Sequence, residues 1–332
     1  MKKNKNKRKD SKLKGTKGKY LKVKTFLISR KTIFDFTRFA FSVFVIFLLF
    51  FLIQREKSDA DKKSVLGAAS VSTYPYKLEV KEPILDKPDI TSKSAIVAST
   101  KMKKFLYEKN PDLKLPPAST TKILTALLTI NEYDLSEEVL VPKVCTEVVG
   151  AKMGLIPDEK INVESLLYGM LVASAGDAAC TLSTHKFSSS GFIGKMNILA
   201  QKIGLTNTNF TNPIGLDVDE SSHVSTARDL YLMTEEAIKN GVFRKIVGTK
   251  YITLTSSDGA ISHDVVSTNS LLFEIPGSLG VKTGKTDRAK EVLVYAYQKH
   301  DDEIIIVVMG SDDRFEDTKR LLKYVSDNYA NF

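Results

Sequence analysis

The sequence predicts an α/β domain in which an antiparallel sheet, assembled from the two ends of the domain, carries helices packed against it. Three observations predict it. Short β-rich runs open and close the region after residue 92, helical periodicity fills the middle, and one strongly apolar stretch stands apart near the N-terminus. At the front, Ala95-Ile96-Val97-Ala98 and Phe105-Leu106-Tyr107, separated by the polar Thr100 to Lys104, read as a hairpin. Asn110 to Pro117 reads as a loop, and a helix is expected from about Ser119, where Ile123, Leu124, Leu127, Leu128 and Ile130 recur at helical spacing. Further helical patterns cover Val163 to Val172, Phe192 to Ile203 and Thr226 to Lys239, each preceded by a polar cap candidate. Texture returns to strand at Leu279 to Thr283, Val292 to Tyr297 and Ile304 to Met309, and Asp317 to Asn328 is a closing amphipathic helix. No internal repeat is visible.

The apolar stretch Phe39 to Ile53, FAFSVFVIFLLFFLI, is interrupted only by Ser42 and bounded by Arg38 and by Gln54-Arg55. It is short for a bilayer core of roughly 30 Å, but apolar residues in Thr32 to Phe36 extend it and the flanking arginines can snorkel. A cleaved signal peptide is the rival reading; the small residues Gly67-Ala68-Ala69-Ser70 lie beyond a charged stretch, which favours an uncleaved signal anchor. The organisation expected is therefore a basic cytoplasmic tail over 1–38, a transmembrane anchor over 39–54, an extracytoplasmic linker over 55–91 and a catalytic-type domain over 92–332, with the N-terminus cytoplasmic.

Charge supports that division. The chain carries 49 basic and 39 acidic residues for a net +10, but fifteen of the basic residues and only two of the acidic ones fall within residues 1–38. The remaining 294 residues hold 34 basic and 37 acidic side chains, a net −3, so a nucleic-acid-binding body is excluded as a default. The lysine run suits a solvated tail touching anionic lipid. His185, His223, His263 and His300 are scattered without an HExxH or HxH pattern, so no metal site or cofactor is called for. Cys145 and Cys180 could pair in an oxidising compartment, but both are read as buried thiols.

Chemistry enters with Ser119-Thr120-Thr121-Lys122, which sets a hydroxyl and an amine three residues apart, on one face of a helix start. A serine hydroxyl needs a base, and a lysine serves if burial or a neighbouring cation lowers its pKa. Alone the pattern is weak, since Ser11 with Lys14 and Ser183 with Lys186 match it, and Ser119 could be a simple N-cap. Its company sharpens it. Lys282-Thr283-Gly284 ends a β-rich run, and Ser174-Ala175-Gly176-Asp177 lies between, the order that characterises penicillin-binding proteins and serine β-lactamases.

With those motifs, the region from about residue 92 to about residue 325 resembles the low-molecular-weight penicillin-binding proteins that act as D-alanyl-D-alanine carboxypeptidases. Pro117 to Lys122 resembles that family's nucleophile motif. Gly204 to Phe210 with Asn212-Pro213 and Gly215-Leu216, Ser225 to Leu230, and Thr268 to Leu272 resemble its other signatures. The resemblance implies the transpeptidase fold, with a five-stranded antiparallel sheet flanked by helices. It implies Ser119 as acylated nucleophile, Lys122 as general base, Ser174 as proton relay to the leaving amine, and Lys282 as the cation that keeps Lys122 neutral. It further implies Thr283, Gly284, Lys285 and Arg314 around the substrate, with Thr283 and Arg314 on its terminal carboxylate and the backbone N–H groups of Ser119 and Lys285 as oxyanion hole. A surface ion pair with Asp313 or Glu316 is the plainer role for Arg314.

Two departures stand out. The family's second motif usually reads Ser-x-Asn, and position 176 is Gly, which removes an amide that normally meets the active-site lysine. Position 290, commonly Gly, is Lys; with Lys285 and Arg288 it makes a basic segment that suits an anionic peptide or, preferably, is a solvated edge. Asp177 keeps the family residue and is expected to cap the following helix. The leading expectation is a serine carboxypeptidase trimming peptidoglycan stem peptides that end in D-Ala-D-Ala, with β-lactams as covalent inhibitors. A weak or inactive peptidoglycan-binding homologue and a serine β-lactamase are the alternatives; for the last, Glu159 and Glu164 sit in no recognisable water-positioning motif.

Overall fold

The structure, a computed structural model, describes residues 87–217 and 222–329. The expected tail, the apolar segment 39–54 and the linker as far as residue 86 lie outside the described residues. Among the described residues no helix is long and apolar enough to cross a membrane.

Strands β1 (Ser94–Ser99) and β2 (Lys104–Lys109) form the expected hairpin, and β7 (Ser278–Thr286), β8 (Lys290–Lys299) and β9 (Asp302–Ser311) form the C-terminal runs. They join in one antiparallel sheet of order β2-β1-β9-β8-β7, so that β1 pairs with β9 from the opposite end of the domain, Ala95 opposite Val308 and Val97 opposite Ile306. Neighbouring residues along a strand face opposite sides, and both sides are covered. Ile96, Ala98, Val292, Val294, Ile305 and Val307 enter the larger core under the helices. Ala95, Val97, Leu293, Tyr295, Ile304 and Ile306 enter a second core with Leu321 and Val325. This two-sided burial explains why β8 and β9 read as continuous apolar runs instead of alternating ones.

The covering helix on the second face is the closing one, Arg314–Asn328, capped by Asp313, whose carboxylate accepts from the N–H groups of Phe315 and Glu316. On the first face lie α1 (Lys122–Glu132), α2 (Lys143–Thr146), α3 (Val163–Val172), α4 (Gly176–His185), α5 (Ser189–Lys202), α6 (Ala227–Ala237) and α7 (Gly241–Val247); α8 (Leu271–Glu274) puts Leu271 into the second core, beside the closing helix, α9. Asn162, Ser188 and Thr226 cap α3, α5 and α6, so α5 starts ahead of the expected Phe192 and Thr226 is the cap and not the first helical residue. The pattern read as one helix through Lys239 ends at Ala237, and Asn240 caps a new helix, α7. Two small hairpins were not anticipated, β3 (Glu138–Leu140) with β4 (Lys160–Asn162) and β5 (Tyr251–Thr255) with β6 (Ser262–Val266).

The cysteines are a correction. They are not thiols but a disulfide, Cys145–Cys180, joining α2 to α4 across 35 residues of sequence. Neither residue carries a sign of its partner in sequence; only the packing of α2 on α4 brings them together. Closing that loop stabilises the fold by restricting the unfolded chain. Reduction is expected to add two hydrogens to the intact mass and to lower the melting temperature by about 5–10 °C, the equivalent of about 2–4 kcal/mol in a domain of this size. A melting curve indifferent to reductant, on protein shown by mass to be reduced, contradicts this.

Candidate active site

The chain enters the site through a tight turn. Ala118–Thr121 is a single 3₁₀ turn, and α1 begins only at Lys122, so the helix expected from Ser119 is tighter over its first four residues. Thr120 Oγ1 donates to Pro117 O at 2.6 Å and Thr121 Oγ1 to Ala118 O at 2.8 Å, so the two threonines inside the motif satisfy the turn's own carbonyls. Ser119 is therefore not spent as a cap. Ala118 sits at φ +47°, a left-handed conformation costly for a residue with a Cβ, and Ser119 follows it, half-buried and facing the cleft.

Lys122 Nζ lies 2.9 Å from Ser119 Oγ and donates to the backbone carbonyl of Ile214 at 2.6 Å. Its side chain is 1% exposed, and burial pushes the amine down to about 7, with Asp177 acting in the opposite direction. Lys282, also 1% exposed, donates to Thr283 O at 2.9 Å. Burial first, then the neighbouring Lys122 and Arg314, holds it well below the ordinary lysine value. Desolvation thus dominates for both amines; the cation–cation repulsion falls on Lys282, whereas Lys122 is lowered by burial and not by Lys282.

The sheet contributes its edge. Strand β7 is the last strand of the sheet, and at Gly284 its backbone runs against the nucleophile turn; a Cβ there would meet Ser119 N and Ala118 Cβ at 2.9 Å each. Thr283 Oγ1 lies 2.6 Å from the hydroxyl of Thr268. Arg314, at the start of α9, donates from Nη1 to Gly284 O at 3.0 Å and has its Nε 3.9 Å from Glu291, with a side chain only 14% exposed. It is no surface pair with Asp313 or Glu316. Lys285 and Lys290 are exposed and paired with Glu291 and Asp312 respectively, the solvated-edge arrangement. Lys290 adopts φ +54°, which accounts for the suitability of glycine at that position.

The second motif is partly changed in role. Ser174 lines the cleft at φ +62°. Asp177 does not cap its helix in the expected way: besides the N–H of Ala178, its carboxylate accepts from Met153, Gly154 and Leu155 and so ties down the loop that walls the site. Gly176 offers no amide to Lys122. Two participants escaped the sequence reading. The Ile214 carbonyl is a backbone atom with no residue signature, and Thr268 belongs to a recognised Thr-Asn motif without a suggested role. These groups enclose a cavity of about 200 Å³ whose lining, among the described residues, includes Ser119, Lys122, Ser174, Thr268, Thr283 and Arg314 but no carboxylate. Glu159 is instead buried against His263 at 2.7 Å, and Glu164 faces Lys245. A larger open depression of about 380 Å³, beside Glu138, Asp158 and Asp258, contains none of the motif residues.

Comparison with known proteins places this geometry. Residues 81–313 match the family model described as D-alanyl-D-alanine carboxypeptidase. The D-alanyl-D-alanine carboxypeptidase DacF of Bacillus subtilis is 34% identical over 247 residues, covering 73% of this chain and 63% of DacF; the chain thus spans less than two thirds of that relative's length. A D-alanyl-D-alanine carboxypeptidase of a Streptomyces species is 33% identical over 72% of this chain and 88% of its own length. The crystal structure of a Streptomyces DD-transpeptidase superposes with a TM-score of 0.67 at 32% identity, covering 72% of this chain and 98% of that one.

One glycine is decisive for the site. Gly215, at φ +90°, passes so close to the nucleophile turn that a Cβ would fall 2.0 Å from Ala118 O, whereas Gly204, at φ +85°, has open space around it. Gly215→Ala is expected to destabilise by several kcal/mol, against about 1 kcal/mol for Gly204→Ala, as read by chemical denaturation. Equal effects at the two positions contradict the reading.

Proposed function

The chain belongs to the D-alanyl-D-alanine carboxypeptidase family, and from that membership we propose that it is a serine carboxypeptidase removing the terminal D-alanine of peptidoglycan stem peptides, sensitive to β-lactams. One observation carries the reading. The buried amine of Lys122 lies 2.9 Å from the half-buried Ser119 hydroxyl, in a cleft whose charged lining residues, among the described residues, are all basic.

In this reading Ser119 Oγ attacks the carbonyl carbon of the penultimate D-alanine while Lys122 Nζ takes the hydroxyl proton. The developing oxyanion is held by the N–H groups of Ser119 and Lys285, where β7 presses on the nucleophile turn. Ser174 passes the proton to the departing D-alanine amine, and water then hydrolyses the ester on Ser119, again with Lys122 as base. Arg314 and the Thr283 hydroxyl receive the terminal carboxylate, a free anion that only an exopeptidase substrate presents. Among the described residues the lining holds no carboxylate, which argues against a class A β-lactamase, whose deacylating water a glutamate positions.

The location of the protein is proposed on sequence grounds. Residues 39–54 anchor the chain in the membrane, the tail 1–38 stays in the cytoplasm, and the domain works outside; the apolar run and the charge asymmetry support this. The Cys145–Cys180 disulfide suits an extracytoplasmic domain.

Intact-mass spectrometry of the membrane fraction, with and without benzylpenicillin, tests both parts. The wild-type protein is expected there, uncleaved, gaining one drug-sized adduct that Ser119→Ala does not form. Because the base must be neutral, adduct formation is expected to rise with pH through a midpoint near 7, the value to which burial takes Lys122, and to level off above it. No adduct, or one retained by Ser119→Ala, contradicts the catalytic reading; a soluble or shortened chain contradicts the anchor.

A further inference from the structure

The second acceptor of Lys122 is delivered by a clamp. Asn212 Oδ1 accepts hydrogen bonds from three backbone N–H groups in succession, Ile214 at 3.1 Å, Gly215 at 2.7 Å and Leu216 at 3.1 Å, while its Nδ2 donates to Leu216 O at 2.9 Å. The turn so formed aims two consecutive carbonyls at α1. Pro213 O accepts from Thr125 Oγ1 at 2.8 Å, and Ile214 O accepts from Lys122 Nζ at 2.6 Å.

A buried histidine fastens the same loop to the nucleophile turn. Thr211 N–H donates to His223 Nδ1 at 3.0 Å, which leaves the proton on Nε2, 2.9 Å from Thr121 Oγ1. Burial pushes this imidazole down to about 4, so it stays neutral at working pH. Position 176 fits into the same arrangement. A Cβ added to Gly176 would meet Ile214 Cγ2, Val148 Cγ2 and Ala151 O at 3.4 Å each, so the Ile214 side chain stands beside the place from which an asparagine would extend.

We infer that Asn212 is a positioning residue for the general base: by holding the 214–216 turn it fixes the Ile214 carbonyl on Lys122, an acceptor that does not depend on the residue at position 176. The inference rests on the acyl-enzyme reading above. A neutral amine whose one N–H is committed to Ile214 O presents its lone pair to Ser119. Once the proton has moved, the same carbonyl accepts from the new ammonium, a charge-assisted bond and the stronger of the two states. The charged groups acting on this amine from other elements are Asp177 on α4 and Lys282 on β7, with Arg314 of α9 beyond Lys282.

The test measures benzylpenicillin adduct formation on the full-length protein by intact mass, from about pH 5 to about pH 9, for wild type, Asn212→Ala and Asn212→Asp. Asn212→Ala is expected to lower the plateau rate by about 10- to 100-fold. It should also move the midpoint to lower pH, because the ammonium form loses its acceptor. Asn212→Asp keeps the acceptor for all three N–H groups, so its plateau should stay within several-fold of wild type, with the midpoint displaced upward by the added negative charge. An Asn212→Ala protein with wild-type rate and midpoint overturns the inference. So does one that merely melts earlier and reacts slowly with an unmoved midpoint, the signature of a structural role. A wild-type protein that forms no adduct overturns the acyl-enzyme reading itself, and the inference with it.

Discussion

A lysine amine driven into a site 1% exposed, with no carboxylate among the described residues lining the cavity to accompany it, is the constraint from which the rest of this active site follows. Water stabilises a lysine cation strongly, and its exclusion is what brings Lys122 down to about 7. A neutral amine at physiological pH can accept the proton of Ser119; an exposed lysine cannot. Lys282 meets the same condition from the sheet side, and Arg314 behind it is itself pushed below the usual arginine range by burial. Burial and mutual repulsion oppose charging of the two lysines beside Arg314, and an incoming anion would offset that opposition. That links the chemistry of acylation to recognition of a terminal carboxylate through one electrostatic imbalance.

Holding these groups requires backbone that the sequence alone would not choose. Ala118, immediately before the nucleophile, Ser174, and Val281, immediately before Lys282, all have positive φ, and the last is β-branched. Such conformations cost about 1–3 kcal/mol each and persist where surrounding packing fixes them. Here the packing is the sheet and the loops locked against it. The pairing of β1 with β9 from the opposite end of the domain holds β8 and β7 in register, Gly284 on β7 abuts Ser119, and Gly215 presses the nucleophile turn from the other side. The disulfide and the Asp177 carboxylate tie the 145–155 wall to α4, the helix that follows Ser174.

What the sequence disclosed reflects which of these constraints are local. The Ser119 and Lys122 contact was legible because a three-residue spacing survives the change from an α-helix to a 3₁₀ turn. Strands β1, β8 and β9 were legible because two-sided burial writes them as largely apolar runs. Arg314 could be placed near the substrate only through family resemblance, since its contact with Gly284 O spans 30 residues. The disulfide, the Thr268 and Thr283 hydroxyl pair, and the carbonyl of Ile214 were not legible, because each depends on tertiary proximity or on a backbone atom. The loss of an asparagine at position 176 suggested a damaged site from sequence. In the structure Lys122 has a backbone acceptor, the Ile214 carbonyl at 2.6 Å.

The most direct test of this account is the protonation state of Lys122 itself, measured by NMR titration of lysine-labelled protein with the resonance assigned through Lys122→Arg. The account predicts an amine that loses its proton near pH 7 while surface lysines titrate around pH 10. A Lys122 signal that remains charged through about pH 9 would contradict it, because Ser119 would then have no base.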